Sequence, residues 1–259
     1  MLNVERDGDV VTLTIDRPER RNALHGPLWS ALKEAADALY AEPPRAVILT
    51  GVGEHFCAGM DLKMDNPLIA RLAPAVAEKD EAALRALIVE LKGVVDAIAN
   101  IPAPVVAAIE GACAGGGLEL ALACDLRVAA RGAFFSLPET HLGMVPDVGG
   151  TVRATRLVGA GRATELILSG RRLDVDEAER WGLVNRVVDA GGALAQAQAL
   201  VKELCGAGPA CARSILEVLR ANAPTFEQET EAGVRALTSG EVMEGAMAFA
   251  EKRPPKWLA

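Results

Sequence analysis

The sequence predicts an α/β fold in which crossover helices join buried strands, followed by an all-helical extension. Three observations predict it. Residues 10–50 read strand, helix, strand, the pattern of a right-handed crossover unit. A β-branched apolar run at 105–109 passes through a glycine turn straight into a helical pattern. After residue 191 strand patterns cease and only helical periodicity continues.

In order along the chain, residues 10–15 (VVTLTI) alternate and read as a strand that Asp16 and Pro18 end. Residues 27–40 read as a helix: Pro27 suits a first turn, and Leu28, Leu32, Ala35 and Leu39 share a face. Residues 46–50 form a second buried strand, and 51–66, with three glycines, a loop. Residues 67–77 fit neither period cleanly. Residues 82–98 carry Leu84, Leu87, Ile88, Leu91, Val94, Val95 and Ile98 at helical spacing. Further on, 134–137 and 184–188 read as strands, 175–181 as a short helix, and 151–168 as helix broken near 159–161. Helices at about 193–206, 208–221, 225–238 and 241–252 complete the chain. The drift to Ala-rich helices sets the expected division, an α/β core at 1–190 and a helical region at 191–259.

Composition narrows the function. With 51% hydrophobic residues the 259-residue chain is an ordinary globular protein, and with 3% aromatics its core must rely on Ala, Val and Leu. A formal net charge of −8 argues against nucleic acid as a partner, though local basic residues could still hold phosphates. The five cysteines match no zinc spacing and read as small buried hydrophobes in a reducing compartment. His25, His55 and His141 have no ligand-spaced partners, so no metal is expected. No run has the ~18 apolar residues of a membrane span, and the N-terminus carries no apolar signal core, so a cytoplasmic location is expected.

The chemistry concentrates in residues 104–150. Gly115, Gly116 and Gly117 separate a strand from a helix, and a helix N-terminus presents free N–H groups where negative charge is favoured. Glu119 lies in that helix's first turn, Glu139 follows twenty residues later in a Leu-Pro-Glu-Thr-His segment, and Asp147 follows that. Three carboxyl groups near one oxyanion-type site suggest proton transfer beside a stabilised negative oxygen. Read alone, each residue has a plainer explanation. The glycines make a tight turn, Glu119 complements a helix dipole, and Asp147 caps a helix starting near Gly149.

The segments AIEGACAGGGLELALACDLRVAA, FSLPETHLGMVPDVGGT and VILTGVGEHFCAGMDLK resemble the signature region of the crotonase superfamily, the enoyl-CoA hydratase/isomerase family. The resemblance runs from RPERRNAL to AFAEKRPPKW. It implies a ββα-superhelix spiral core, C-terminal helices engaged in trimer contacts, and a trimer or dimer of trimers. It implies no prosthetic group; coenzyme A enters as part of a thioester substrate. The implied oxyanion donors are the backbone amides of Met60, which stands where alanine is frequent, and Gly116. Two such donors on one oxygen stabilise an enolate by about 3–4 kcal/mol each. The implied acid–base pair is Glu119 and Glu139, at the spacing of enoyl-CoA hydratases, which add water to a 2-enoyl-CoA. The implied coenzyme A cradle comprises Arg21, Ala23, Ala58, Met60, Asp61, Leu62, Lys63 and Gly116, with Lys252 from the C-terminal region. Arg20 is a further candidate phosphate contact, and the Asp61 side chain reads as structural.

One position departs from the pattern. Many hydratases of the family carry Pro-Gly-Ala-Gly-Gly where this chain has Pro146-Asp147-Val148-Gly149-Gly150. An acid there resembles dienoyl-CoA isomerases, which shuttle a proton between it and the glutamate matching Glu139. It also resembles 3-hydroxyisobutyryl-CoA hydrolases, which lack an acid matching Glu119. The expectation is a hydratase, with two alternatives: an isomerase using Glu139 and Asp147, or a non-catalytic acyl-CoA binder.

Overall fold

A computed structural model of the chain describes residues 1–221 and 223–258. Strands β1 (Leu2–Asp7) and β2 (Val10–Ile15) form an antiparallel hairpin in register Leu2↔Ile15 to Asp7↔Val10. Helix α1 (Gly26–Ala41) follows and buries Leu28, Trp29, Leu32, Ala36 and Leu39. Strand β3 (Ala46–Gly51) then pairs parallel to β2. Residues 67–77, ambiguous by period, are helix α2 (Pro67–Glu78). The Asn66 side chain accepts the Leu68 amide at 3.1 Å and Pro67 starts the first turn, so local capping decides what periodicity leaves open.

Helix α3 (Glu81–Ala99) leads to β4 (Val105–Ile109) and the short β5 (Ala112–Ala114). Then come α4 (Gly116–Ala123), β6 (Leu126–Ala130) and β7 (Phe134–Ser136). A 3-10 turn at Pro138–Leu142 precedes α5 (Gly150–Val158), which a break at Gly159 separates from α6 (Ala160–Ser169). Strand β8 (Leu173–Asp174), α7 (Val175–Trp181) and β9 (Arg186–Val188) complete the part that contains strands. Strand β9 is shorter than the 184–188 expected because the amides of Leu183 and Val184 turn back to Ala178 and close α7.

The main sheet has order β1-β2-β3-β4-β6-β9 and is parallel except at the first hairpin; β5, β7 and β8 form a second, small sheet. Both faces of the main sheet are buried, which explains why β3 and β4 read as continuous apolar runs. One face (Val47, Leu49, Val105, Ala107, Ile109) packs against α1, α3 and α4. The other (Ala46, Ile48, Val106, Ala108, Val128, Ala130) is covered by Ala193, Ala197, Leu200 and Val201 of α8 (Ala193–Leu204). Alanines on both sides let this helix lie close without any aromatic residue.

Helices α9 (Pro209–Arg220), α10 (Phe226–Thr238) and α11 (Glu241–Glu251) bury little; Phe226 and Phe249 are each 88% exposed. Arginines tie this region to the rest. Arg220 pairs with Asp125 at 2.6 Å and donates to the carbonyls of Ile101 and Ala103. Arg45 donates to the carbonyls of Cys205, Ala207 and Trp257.

Strand β6 hides a charge. Arg127 is 2% exposed, and its guanidinium donates to the carbonyls of Leu183 (2.6 Å), Ala121 (3.2 Å) and Cys124 (2.8 Å). Two of those acceptors close the C-terminus of α4, a buried helix whose last carbonyls water does not reach. Arg127→Met leaves these acceptors unsatisfied, and a loss of about 3 kcal/mol is expected. A urea midpoint within error of the wild type would contradict it.

Candidate active site

The centre of the site is assembled by three segments in parallel. The loop at 57–60 runs beside β5: the Cys57 amide donates to Ala112 (2.9 Å) and the Ala114 amide to the Cys57 carbonyl (3.0 Å). On its other side the Leu24 amide donates to Gly59 (2.7 Å) and the Asp61 amide to Leu24 (2.8 Å). In that parallel bridge the Met60 amide faces away from Leu24, towards the start of α4. Gly116 opens α4, so its amide belongs to the first turn and has no acceptor within the helix.

The glycines make this approach possible. Gly115 has φ +52, and its amide is held by the Ser136 carbonyl at 2.9 Å. A Cβ on Gly116 would stand 3.9 Å from the Met60 nitrogen, and one on Gly117 would reach 2.3 Å from the Cys57 carbonyl oxygen. Met60 and Gly116 thus come together, with Leu24 and Trp29 behind them.

Glu119 lies one turn into α4 and is 3% exposed. Its Oε1 accepts the amides of Gly150 (2.8 Å) and Val148 (3.1 Å). Burial pushes its pKa up to about 8; the neighbouring Glu139 and Asp147 charges add to the rise, and the two amides oppose it. Glu139 sits in the Pro138–Leu142 turn, half-buried, with Oε2 shielded from solvent and without a hydrogen-bond partner. Its pKa is also raised, first by burial and then by Asp147. The turn rests on α6: the Thr140 hydroxyl donates to the Ile167 carbonyl at 2.9 Å, and the His141 ring covers Gly170.

Asp147 faces this pair from an exposed loop, and its surroundings raise its pKa as well. The capping role expected for it is corrected. The N-cap of α5 is Gly149, with no side-chain cap hydrogen bond of its own. The Gly150 amide is occupied by Glu119 instead. A carboxylate from the preceding helix takes the place that a local aspartate would fill.

A model of the enoyl-CoA hydratase/isomerase family matches residues 5–259. The chain belongs to this family, the crotonase superfamily. It is 37% identical to the carnitinyl-CoA dehydratase of Salmonella typhi, over 99% of this chain and 97% of that protein. It is also similar to two crystal structures of enoyl-CoA hydratases. For that from Bacillus anthracis the TM-score is 0.87 at 34% identity, covering 98% of this chain and 97% of that one. For that from Polaromonas sp. JS666 the TM-score is 0.86 at 35% identity, covering 98% of each. The fold is accordingly the crotonase fold.

The remaining family positions divide. Ala58 donates to the Arg21 carbonyl at 3.0 Å, so the segments 21–24 and 58–63 form one surface. On it Arg21, Leu62 and Lys63 are exposed, Ala58 is half-buried, and Ala23 and Asp61 are buried. Arg20 pairs with Asp65 at 3.1 Å. Lys252 stands exposed at the end of α11, a helix that packs on α10.

Sequence reasoning missed the residues underneath. Arg17 meets Asp61 at 2.7 Å, a charge contact rather than an aligned hydrogen bond, and donates to the Ala23 carbonyl at 2.9 Å. Asn22 is fully buried and donates to the carbonyls of His55 (2.6 Å) and Val52 (3.0 Å). In a run such as RPERRNAL these side chains read as solvated. The usable signal was the Arg-Pro and Asn-Ala framing of a short polar segment between a strand and a helix.

The raised Glu119 pKa has a consequence for stability. The folded state holds its proton to about pH 8, whereas an unfolded glutamate loses it near pH ~4.3. Between those values the folded state binds more protons, so this group's contribution is complete below the lower pKa and is lost as pH rises through the upper one. The stability of Glu119→Gln relative to wild type should therefore increase from acid to alkaline pH. Thermal denaturation at several pH values checks this; a difference independent of pH contradicts it.

Proposed function

We propose that this chain is an enoyl-CoA hydratase that interconverts a 2-enoyl-CoA and a 3-hydroxyacyl-CoA. The observation that carries the reading is the pair Glu119 and Glu139 beside the Met60 and Gly116 amides, with the two carboxyls in unlike surroundings. In hydration the thioester oxygen lies against the two amides and gathers the enolate charge. Glu119 takes a proton from water as its oxygen bonds to the β-carbon, and Glu139 gives a proton to the α-carbon. One carboxyl must be ionised while the other is protonated, and surroundings this different separate their titrations.

Burial holds the proton on Glu119 to about pH 8, and with Glu139 ionised the pair takes the opposite arrangement. That is the starting state for the reverse reaction. Glu139 removes the α-proton, the C–H electrons form the enolate, the β C–O bond breaks, and Glu119 protonates the departing hydroxyl. The site thus serves both directions of the reaction, and the dehydratase relative fits the reverse one. The acyl-CoA enters by the surface of Arg21, Ala23, Ala58, Asp61, Leu62 and Lys63. A second reading, a dienoyl-CoA isomerase, is favoured by one observation: Asp147 acts electrostatically on Glu139. The division into a core at 1–190 and a helical region at 191–259 is supported by the absence of strands after β9 among the described residues, although α8 packs on the sheet of the core.

Apolar side chains stand exposed on α9–α11, among them Leu219, Phe226, Leu237 and Phe249, and exposed apolar surface of this kind suits a subunit contact. A homotrimer, or a dimer of trimers, covers it and brings Lys252 near a neighbour's cradle. Sedimentation equilibrium at micromolar concentration should give a trimeric or hexameric mass; a monomer rejects this part.

The mutational test separates the readings. Glu119→Gln and Glu139→Gln should each lower kcat for 2-enoyl-CoA hydration by about 10²–10⁴-fold, with KM changing much less. Asp147→Asn removes a charge facing Glu139 and leaves the helix cap intact, so hydration should persist within about threefold. If that variant stays folded but loses dienoyl conversion that the wild type performs, the isomerase reading replaces this one.

A further inference from the structure

One of the two amides that hold Glu119, that of Val148, comes from a loop with little packing of its own. Residues 141–145 are exposed, and between them and α5 only Pro146, Val148 and Gly149 are buried. Thr151 restrains the near end by donating its amide and hydroxyl to the Pro146 carbonyl (3.2 and 3.0 Å). The far restraint is Arg153. Its Nη1 donates to the Val148 carbonyl at 3.2 Å, and Nη2 donates to Asp96 Oδ1 of α3 at 2.6 Å. Lys92 holds the other oxygen of Asp96.

The same residue, Val148, therefore gives its amide to Glu119 and receives Arg153 on its carbonyl. The guanidinium crosses directly over Gly149, where a Cβ would lie 1.7 Å from Nη1 and where φ is +125. A buried carboxylate, the backbone of one residue, a guanidinium and an anchoring aspartate form one continuous chain from α4 to α3.

We infer that Arg153, anchored by Asp96, is a positioning residue that holds the Val148 amide on Glu119. The inference rests on the reading of Glu119 as an acid–base group. Without the clamp the Val148 carbonyl loses its donor, the loop relaxes, and the Val148 amide leaves the carboxylate. Only the Gly150 amide, built into α5, stays. A carboxylate with fewer donors is a weaker acid, so Glu119 should titrate higher.

Other charges face Glu119. Glu139 and Asp147 approach from the turn and loop. Arg153, Lys92 and Asp96 lie on the α5 and α3 side, and Arg127 lies at the far end of α4. Simple charge effects must therefore be separated from positioning, and the sign of the Asp96 variant does so. Deleting the negative charge of Asp96 would by itself lower the pKa of Glu119. Releasing Arg153 raises it.

The experiment titrates the Glu119 carboxyl by infrared difference spectroscopy, assigned with Glu119→Gln, in wild type, Asp96→Ala and Arg153→Lys. Lysine keeps the charge but cannot reach Asp96 and the Val148 carbonyl together. Both variants should raise the Glu119 pKa by about one unit, and circular dichroism should show them folded. In hydration assays the same change should lower kcat about tenfold near neutral pH, move the alkaline-rising limb of the profile upward, and leave KM within about threefold. A Glu119 titration that is unchanged, or that falls in Asp96→Ala, overturns the inference. If the wild type hydrates no 2-enoyl-CoA while the titration still shifts as expected, the functional reading fails and the coupling stands.

Discussion

Everything at the centre of this protein turns on one carboxylate shared by two helices. Glu119 belongs to the first turn of α4 and at the same time accepts the first amide of α5. Two helix N-termini, each with unpaired N–H groups and a positive dipole end, are thereby brought to one negative group. Burial opposes the charge, the amides of Gly150 and Val148 favour it, and burial prevails, so the proton is held to about pH 8. Gly150 is required by the same contact, since a Cβ there would lie 2.8 Å from Glu119 Oε1. Met60 and Gly116 lie together nearby, each half-buried.

The sheet supplies the rigidity this arrangement needs. Its two faces carry different residues, larger ones towards α1, α3 and α4 and small ones towards α8. The small face lets α8 lie close to the strands that deliver the site's loops. Few aromatic residues are needed, because alternating alanine and β-branched residues fill the narrow gaps. The C-terminal helices beyond α8 are attached by a different principle: guanidinium groups of Arg45 and Arg220 bind bare carbonyls at element ends.

Much of this was legible in the sequence. The crossover unit at 10–50, the strand–glycine–helix sequence, the break near Gly159 and the four C-terminal helices all lie close to where periodicity and turn residues put them. Strands β1, β5, β6 and the two-residue β8 were not. LNVERD alternates weakly because its hairpin partner, not burial, defines it. Strand β6 is interrupted by an arginine whose burial depends on carbonyls far along the chain. The site divided the same way. Glu119, Glu139, Met60 and Gly116 stood out through motifs and through their resemblance to a family. Arg17, Asn22 and Arg153 did not, because their partners are backbone atoms and distant acids that no local pattern encodes.

Gly159 separates two helices that serve different carboxyls. Helix α5 begins at the amide bound by Glu119, while α6 carries the Ile167 carbonyl that holds Thr140 beside Glu139. The residue between them has φ +83 and ψ 158, a backbone state that side-chain-bearing residues rarely enter. The separation of the two carboxyls is in this sense an angle set at one joint, as the points of a drawing compass are set at its head. Side chains near the substrate can change without disturbing that setting, because the joint lies at the far end of both arms.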